Sequence, residues 1–150
     1  MSDLPVLTTL IRALDFAAAK HRMQRRKDAD ASPYINHPIA LAAVLAVEAG
    51  IDDPVVLCAA VLHDTVEDTE TSVAELAEHF GAEIAGVVAE VTDDKSLDKQ
   101  ARKELQVQRA AHSSTAARLV KLADKICNLR DLLAAPPAGW SAERKRAYFD

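Results

Sequence analysis

The chain has 150 residues, a formal charge of −5, 4% aromatic residues and four glycines. That length suits one domain able to bury a core without staples, and the alanine-rich, glycine-poor mix favours helices packed through small side chains. The acidic balance argues against a general nucleic-acid binder, because phosphate backbones select basic surfaces; the one local exception is the basic run at 20–27, Lys-His-Arg-Met-Gln-Arg-Arg-Lys.

In chain order the pattern is helical nearly throughout. Residues 4–26 carry Leu7, Leu10, Ile11, Leu14 and Ala18 at three- and four-residue steps. The segment from Asp28 to Pro38 breaks that pattern and reads as an ordered loop entering a second helix, which Gly50 closes. Asp53-Pro54 opens a third helix, with Asp as cap and Pro at the first helical position. Its body from Val55 to Leu62 is apolar on every side and belongs at the centre of the bundle. Ser72 with Glu75 forms a capping box before a short helix ended by Gly81. An apolar segment follows from Ile84 to Val91, then a charged, exposed and partly helical stretch from Thr92 to Gln108. A long helix from about Thr115 to Leu133 has Leu119, Leu122, Ile126, Leu129 and Leu133 as its expected core stripe, and Pro136-Pro137 stops it. Ser141 opens a last helix. With no repeat and no alternating strand pattern, the expected fold is an all-α, single-domain bundle.

Cys58 and Cys127 form neither a CxxC pair nor a disulfide framework. The start, Met-Ser-Asp-Leu-Pro, lacks the pattern of a secretory signal, and no stretch approaches the ~20 apolar residues of a membrane span. A cytoplasmic protein without a membrane partner is expected.

The chemistry concentrates at 63–69, His-Asp-Thr-Val-Glu-Asp-Thr. If the helix begun at Pro54 continues, roughly 100° per residue places His63, Asp64, Glu67 and Asp68 within an arc of about 140°. Asp64 and Asp68 would then repel across one turn, near the negative end of the helix dipole. Such an arrangement needs a cation. Asp124 and Asn128 stand one turn apart in an otherwise aliphatic helix, and a buried carboxylate there must be paired or bound to metal. Pairing with Lys121 or Lys125 serves as well as metal on this pattern alone. His37 stands at the mouth of the second helix. Two imidazoles and two carboxylates from three helices suit Mn, Fe or Zn, and such an ion acidifies bound water and neutralises phosphoryl charge.

The series His…His-Asp…Asp resembles the signature of the HD-domain metal-dependent phosphohydrolases. Arg-Arg-Lys-Asp at 25–28, Tyr-Ile-Asn-His-Pro at 34–38, Val-Thr-Asp-Asp at 91–94 and Val-Lys-Leu-Ala-Asp-Lys-Ile-Cys-Asn-Leu-Arg-Asp at 120–131 extend the likeness. Together they resemble the hydrolase branch of the RelA/SpoT homologues, most of all the small alarmone hydrolases of the metazoan SpoT-homologue kind. The resemblance implies Mn²⁺-dependent removal of the 3′-pyrophosphate from ppGpp or pppGpp, leaving GDP or GTP and pyrophosphate. It implies His37, His63, Asp64 and Asp124 as metal ligands and Glu67 and Asp68 as catalytic residues. Arg26, Lys27 and Asn128 would bind the nucleotide substrate, with Lys99 and Tyr148 as further candidates. His21, His79 and His112 lack the flanking pattern and read as surface or structural.

Residues 1–150 are expected to form one HD-type hydrolase domain, its last helix cut short relative to family members, with no synthetase activity. Two alternatives stand beside this one. An NADPH 2′-phosphatase or other nucleotide phosphohydrolase would use the same site. A non-catalytic alarmone-binding module would be expected to lack a ligand or the Glu-Asp pair, and all six positions are present. The sequence leaves oligomeric state open.

Overall fold

The computed structural model describes residues 4–134 and 141–149. They form α1 (Leu4–Lys20), α2 (Asn36–Ala43), α3 (Pro54–Leu62), α4 (Thr65–Asp68), α5 (Val73–Phe80), α6 (Ala82–Val91), α7 (Lys99–Ala110), α8 (Thr115–Ala134) and α9 (Ala142–Phe149). Among the described residues the only strand-like pairing is a single bridge between Arg25 and Pro33. The expected all-α bundle is present.

Helix α3 is its axis. Every residue from Val56 to Leu62 is buried, and α1, α2, α6 and α8 all pack against it. The Asp53 carboxylate accepts from the Val55 N–H at 2.9 Å, and Pro54 starts the helix without wasting a donor. The other sequence caps form as read: Ser72 Oγ accepts from the Glu75 N–H at 3.0 Å, and Ser141 Oγ from the Arg144 N–H at 3.1 Å. Gly50 and Gly81 take φ of +67° and +92°, conformations a side chain would strain. Before Gly50, α2 widens into a π-helical turn at Val44–Glu48, where the Ala49 N–H reaches Val44 O at 3.0 Å.

The expected α8 stripe is displaced, and α1 likewise turns small residues inward. On α1 the core face is Ala13 and Ala17, whereas Leu7 and Ile11 are exposed. On α8 the buried residues are Ala117, Val120, Ala123, Cys127 and Leu132, while Leu122 is 57% and Leu133 74% exposed. Both helices carry a second set of apolar residues at helical spacing. The set with small side chains faces inward because it lets the backbones approach α3 closely. Helix α1 is also shorter than the 4–26 pattern: it ends at Lys20, and a turn at 21–24 leads into the loop before α2.

Candidate metal centre

Helix α3 delivers His63 as its C-terminal cap, and Asp64 follows with φ −99° and ψ 0°, the sparsely populated region where site residues gather. The helix does not continue uniformly through 63–68. The Thr65 hydroxyl donates to Leu62 O at 2.8 Å, competing for a helix acceptor, and a separate turn, α4, begins. The single shared face drawn from uniform helical geometry is therefore divided. Asp64 turns inward, where Tyr34 Oη donates to it. Asp68 lies in the wall of a neighbouring cleft, accepting from Gln24 Nε2 at 3.3 Å and pairing with Lys95 Nζ at 3.0 Å. Glu67 turns toward the α6–α7 connection and accepts from the Asp93 N–H at 2.9 Å.

His37 is buried in the first turn of α2, and Asp124 projects from the middle of α8. His37 Nε2 lies 2.8 Å from Asp124 Oδ1, and His63 Nε2 lies 3.5 Å from the same oxygen and 2.9 Å from Asp64 Oδ2. Ligand atoms of His37, His63 and Asp124 all fall within 4.8 Å of one another. Asp124 does not pair with Lys121 or Lys125, since Lys121 faces Asp93 at 3.9 Å.

The donor chemistry fits a divalent cation. His63 Nδ1 donates to Ala60 O at 2.7 Å, which leaves Nε2 to face the carboxylates. That buried Nε2 makes no hydrogen bond, although two carboxylates crowd it. Two carboxylate oxygens crowding one buried ring nitrogen need a positive charge among them, supplied by a proton on Nε2 or by a metal ion. Burial disfavours the imidazolium, yet Asp64 and Asp124 outweigh it and lift His63 to about 10. Burial likewise opposes ionisation of Asp64 and Asp124, but the imidazoles hold both below the usual carboxylate range, with Tyr34 helping at Asp64. Burial raises Glu67, and the charges of Asp93, Asp64 and Asp68 reinforce the shift against the Asp93 N–H.

Beside this cluster opens a cleft of about 660 Å³, with His37 in its wall. Arg26, Lys27, Asp68 and Asn128 also line it, as do Arg25 and Asp131. Arg26 stands over the Tyr34 ring at 5.7 Å and is held by Asp131 at 2.7 Å. Glu67 is not in the wall. Lys99 is exposed in the first turn of α7, away from the cleft. Trp140 and the side chain of Tyr148 lie outside the described residues. His79 and His112 are exposed, whereas His21 is buried against Tyr34 with ring centroids 4.9 Å apart.

Sequence reasoning missed Tyr34, Gln24 and Asp131 as parts of the site. Tyr34 had a signal, since it stands three residues before His37. Gln24 and Asp131 act through contacts 44 and 105 residues away, which periodicity does not reveal.

The HD-domain family profile matches residues 13–148. The chain is 60% identical over 141 residues to the human guanosine-3′,5′-bis(diphosphate) 3′-pyrophosphohydrolase MESH1, covering 94% of this chain and 79% of the human one. It is 39% identical over 124 residues to a guanosine-3′,5′-bis(diphosphate) 3′-pyrophosphohydrolase of Aquifex aeolicus, covering 81% of this chain and 17% of that protein. A solved structure of a metazoan SpoT orthologue that hydrolyses ppGpp superposes with a TM-score of 0.91 at 53% identity, over 94% of this chain and 79% of that one. With this profile match and these relatives, the chain belongs to the HD-domain family, in its small RelA/SpoT-homologue hydrolase group.

Proposed function

We propose that this chain hydrolyses the 3′-pyrophosphate of ppGpp and pppGpp, with Mn²⁺ held by His37, His63, Asp64 and Asp124. The observation that carries the proposal is the buried His63 Nε2 crowded by Asp64 and Asp124, beside a cleft with Arg25, Arg26 and Lys27 in its wall. The first is a place for a cation and the second a place for a polyanion, on a protein whose overall charge is negative.

A divalent ion bound there supplies Lewis acidity toward water and the phosphoryl oxygens. The chain's own groups do the rest. Arg26, braced by Asp131 and Tyr34, presents a flat guanidinium suited to a base or a phosphate. Lys27 adds a point charge for phosphate, and Asn128, one turn after Asp124, offers an amide to the ribose. Glu67, its pKa raised by burial, is suited to accept a proton. Asp68 is an acceptor fixed in the cleft wall. In the reaction the water oxygen joins the phosphorus, the bond from phosphorus to the ribose 3′-oxygen breaks, and that oxygen takes a proton. A cytoplasmic location is part of the proposal; among the described residues no helix is long and apolar enough to cross a membrane.

The test is incubation of purified protein with ppGpp and Mn²⁺, measuring GDP and pyrophosphate, with NADPH as an alternative substrate. Stoichiometric pyrophosphate release that His63→Ala abolishes supports the proposal. Absence of release, or phosphate release from NADPH at a higher kcat/KM, rejects it.

A further inference from the structure

Asp68 is held from two sides, each carboxylate oxygen by its own donor: Gln24 Nε2 at 3.3 Å from Oδ2 and Lys95 Nζ at 3.0 Å from Oδ1. The donors differ in kind. Lys95 lies on the exposed turn after α6, and 54% of its side chain is open to water. Gln24 is half-buried and is itself fixed, because His21 Nδ1 stands 2.7 Å from Gln24 Oε1. An amide oxygen only accepts, so the His21 proton is on Nδ1 and the Gln24 amide nitrogen is left to face Asp68.

Packing alone does not explain His21. It is 2% exposed, and its Nε2 meets no partner. An apolar ring could stack on Tyr34 without burying an unsatisfied nitrogen, which is the costlier choice. What the imidazole adds is one donor, spent on orienting Gln24. The backbone supports the same geometry: the Gln24 N–H bonds His21 O at 2.9 Å, and the Tyr34 N–H bonds Gln24 O at 3.0 Å.

We propose that Gln24, oriented by His21, is a positioning residue that fixes Asp68 in the wall of the cleft. This rests on the assignment of Asp68 to the reacting site. The turn at 21–24, which interrupts the expected helix, exists in this account to aim that amide.

The experiment is steady-state kinetics of the Mn²⁺-loaded full chain on ppGpp, with metal content and melting temperature measured for each variant. Gln24→Ala is expected to keep KM and metal content and to lower kcat tenfold or more, toward the ~10²-fold that a misplacement of about 1 Å can bring. His21→Asn, which keeps a donor where Nδ1 stands, is expected to retain most of kcat. His21→Phe, which keeps the stacking but has no donor, is expected to fall to the Gln24→Ala level. In an Asp68→Asn background, Gln24→Ala should have no further effect on residual kcat. Asp68→Asn with full kcat defeats the assignment of Asp68. A slow Asp68→Asn beside a Gln24→Ala with wild-type kcat, or with raised KM alone, overturns the positioning role. Should Gln24→Ala not fold, the His21→Asn and His21→Phe pair decides: equal kcat in both overturns it.

Discussion

His63 Nδ1 donates to the carbonyl of Ala60 at 2.7 Å, within the last turn of the helix that carries it. That bond dedicates Nε2 to whatever positive charge occupies the site, and a proton and a metal ion compete for it. Without metal the ring holds a proton up to about 10, so cation binding near neutral pH releases about one proton. Calorimetry in buffers of different ionisation enthalpy reads this directly, and binding that tightens with pH is the expected sign. Stability of the chelated protein has a matching signature. The His63 value is raised above 6.5, so its contribution is complete below that pH and is lost as pH climbs toward 10. Melting temperature should therefore fall over that window in chelator, and less so with Mn²⁺ present.

Tyr34 donates to Asp64 and thereby fixes the orientation of one proposed ligand. Removing such an outer partner typically lowers metal affinity or activity by roughly 10–100-fold. Tyr34→Phe should do so while leaving the fold intact, since the ring and its contact with His21 remain. Metal titration of the variant followed by a turnover assay checks it; unchanged affinity and unchanged kcat would remove Tyr34 from the site.

Glu67 illustrates a group kept for chemistry at the expense of stability. Its pKa is raised above 4.5, first by burial and then by neighbouring carboxylates. The protonated form is thus favoured in the folded state, and above the folded value the ionised carboxylate is destabilising. In metal-free protein Glu67→Gln should raise the melting temperature at pH 7, with the gain fading as pH falls through the raised folded value toward 4.5. The same substitution should reduce kcat sharply. A melting temperature lowered at pH 7 would contradict this account of the carboxylate.

Arg26 is clamped between Asp131 and the Tyr34 ring. Arg26→Ala should raise KM for ppGpp by roughly 10–100-fold, the range for charged hydrogen bonds of ~1.5–3 kcal/mol. Arg26→Lys should not restore it, because an ammonium cannot reproduce a planar fork stacked on a ring. A kinetic comparison of the three proteins is sufficient.

The residues of the His/Asp cluster were legible because they interrupt apolar patterns: His63-Asp64 closes a run of buried aliphatics, and Asp124 stands in an aliphatic helix. Caps at Asp53, Ser72 and Ser141 were equally readable, each being a local event within three residues. What escaped was non-local. Nothing in the 63–68 spacing told that Thr65 would take the Leu62 carbonyl and give Asp64, Glu67 and Asp68 separate partners. The stripe of α8 was misassigned because two apolar sets at the same spacing compete, and the smaller side chains win where the helix approaches α3. Gln24, Tyr34 and Asp131 enter the site only through partners distant in sequence.

Diffraction at the manganese edge from crystals grown with Mn²⁺ tests the central claim most directly. The account predicts one anomalous peak within coordinating distance of His37 Nε2, His63 Nε2, Asp124 and Asp64. A peak elsewhere, or no peak in protein that releases pyrophosphate from ppGpp, would contradict it.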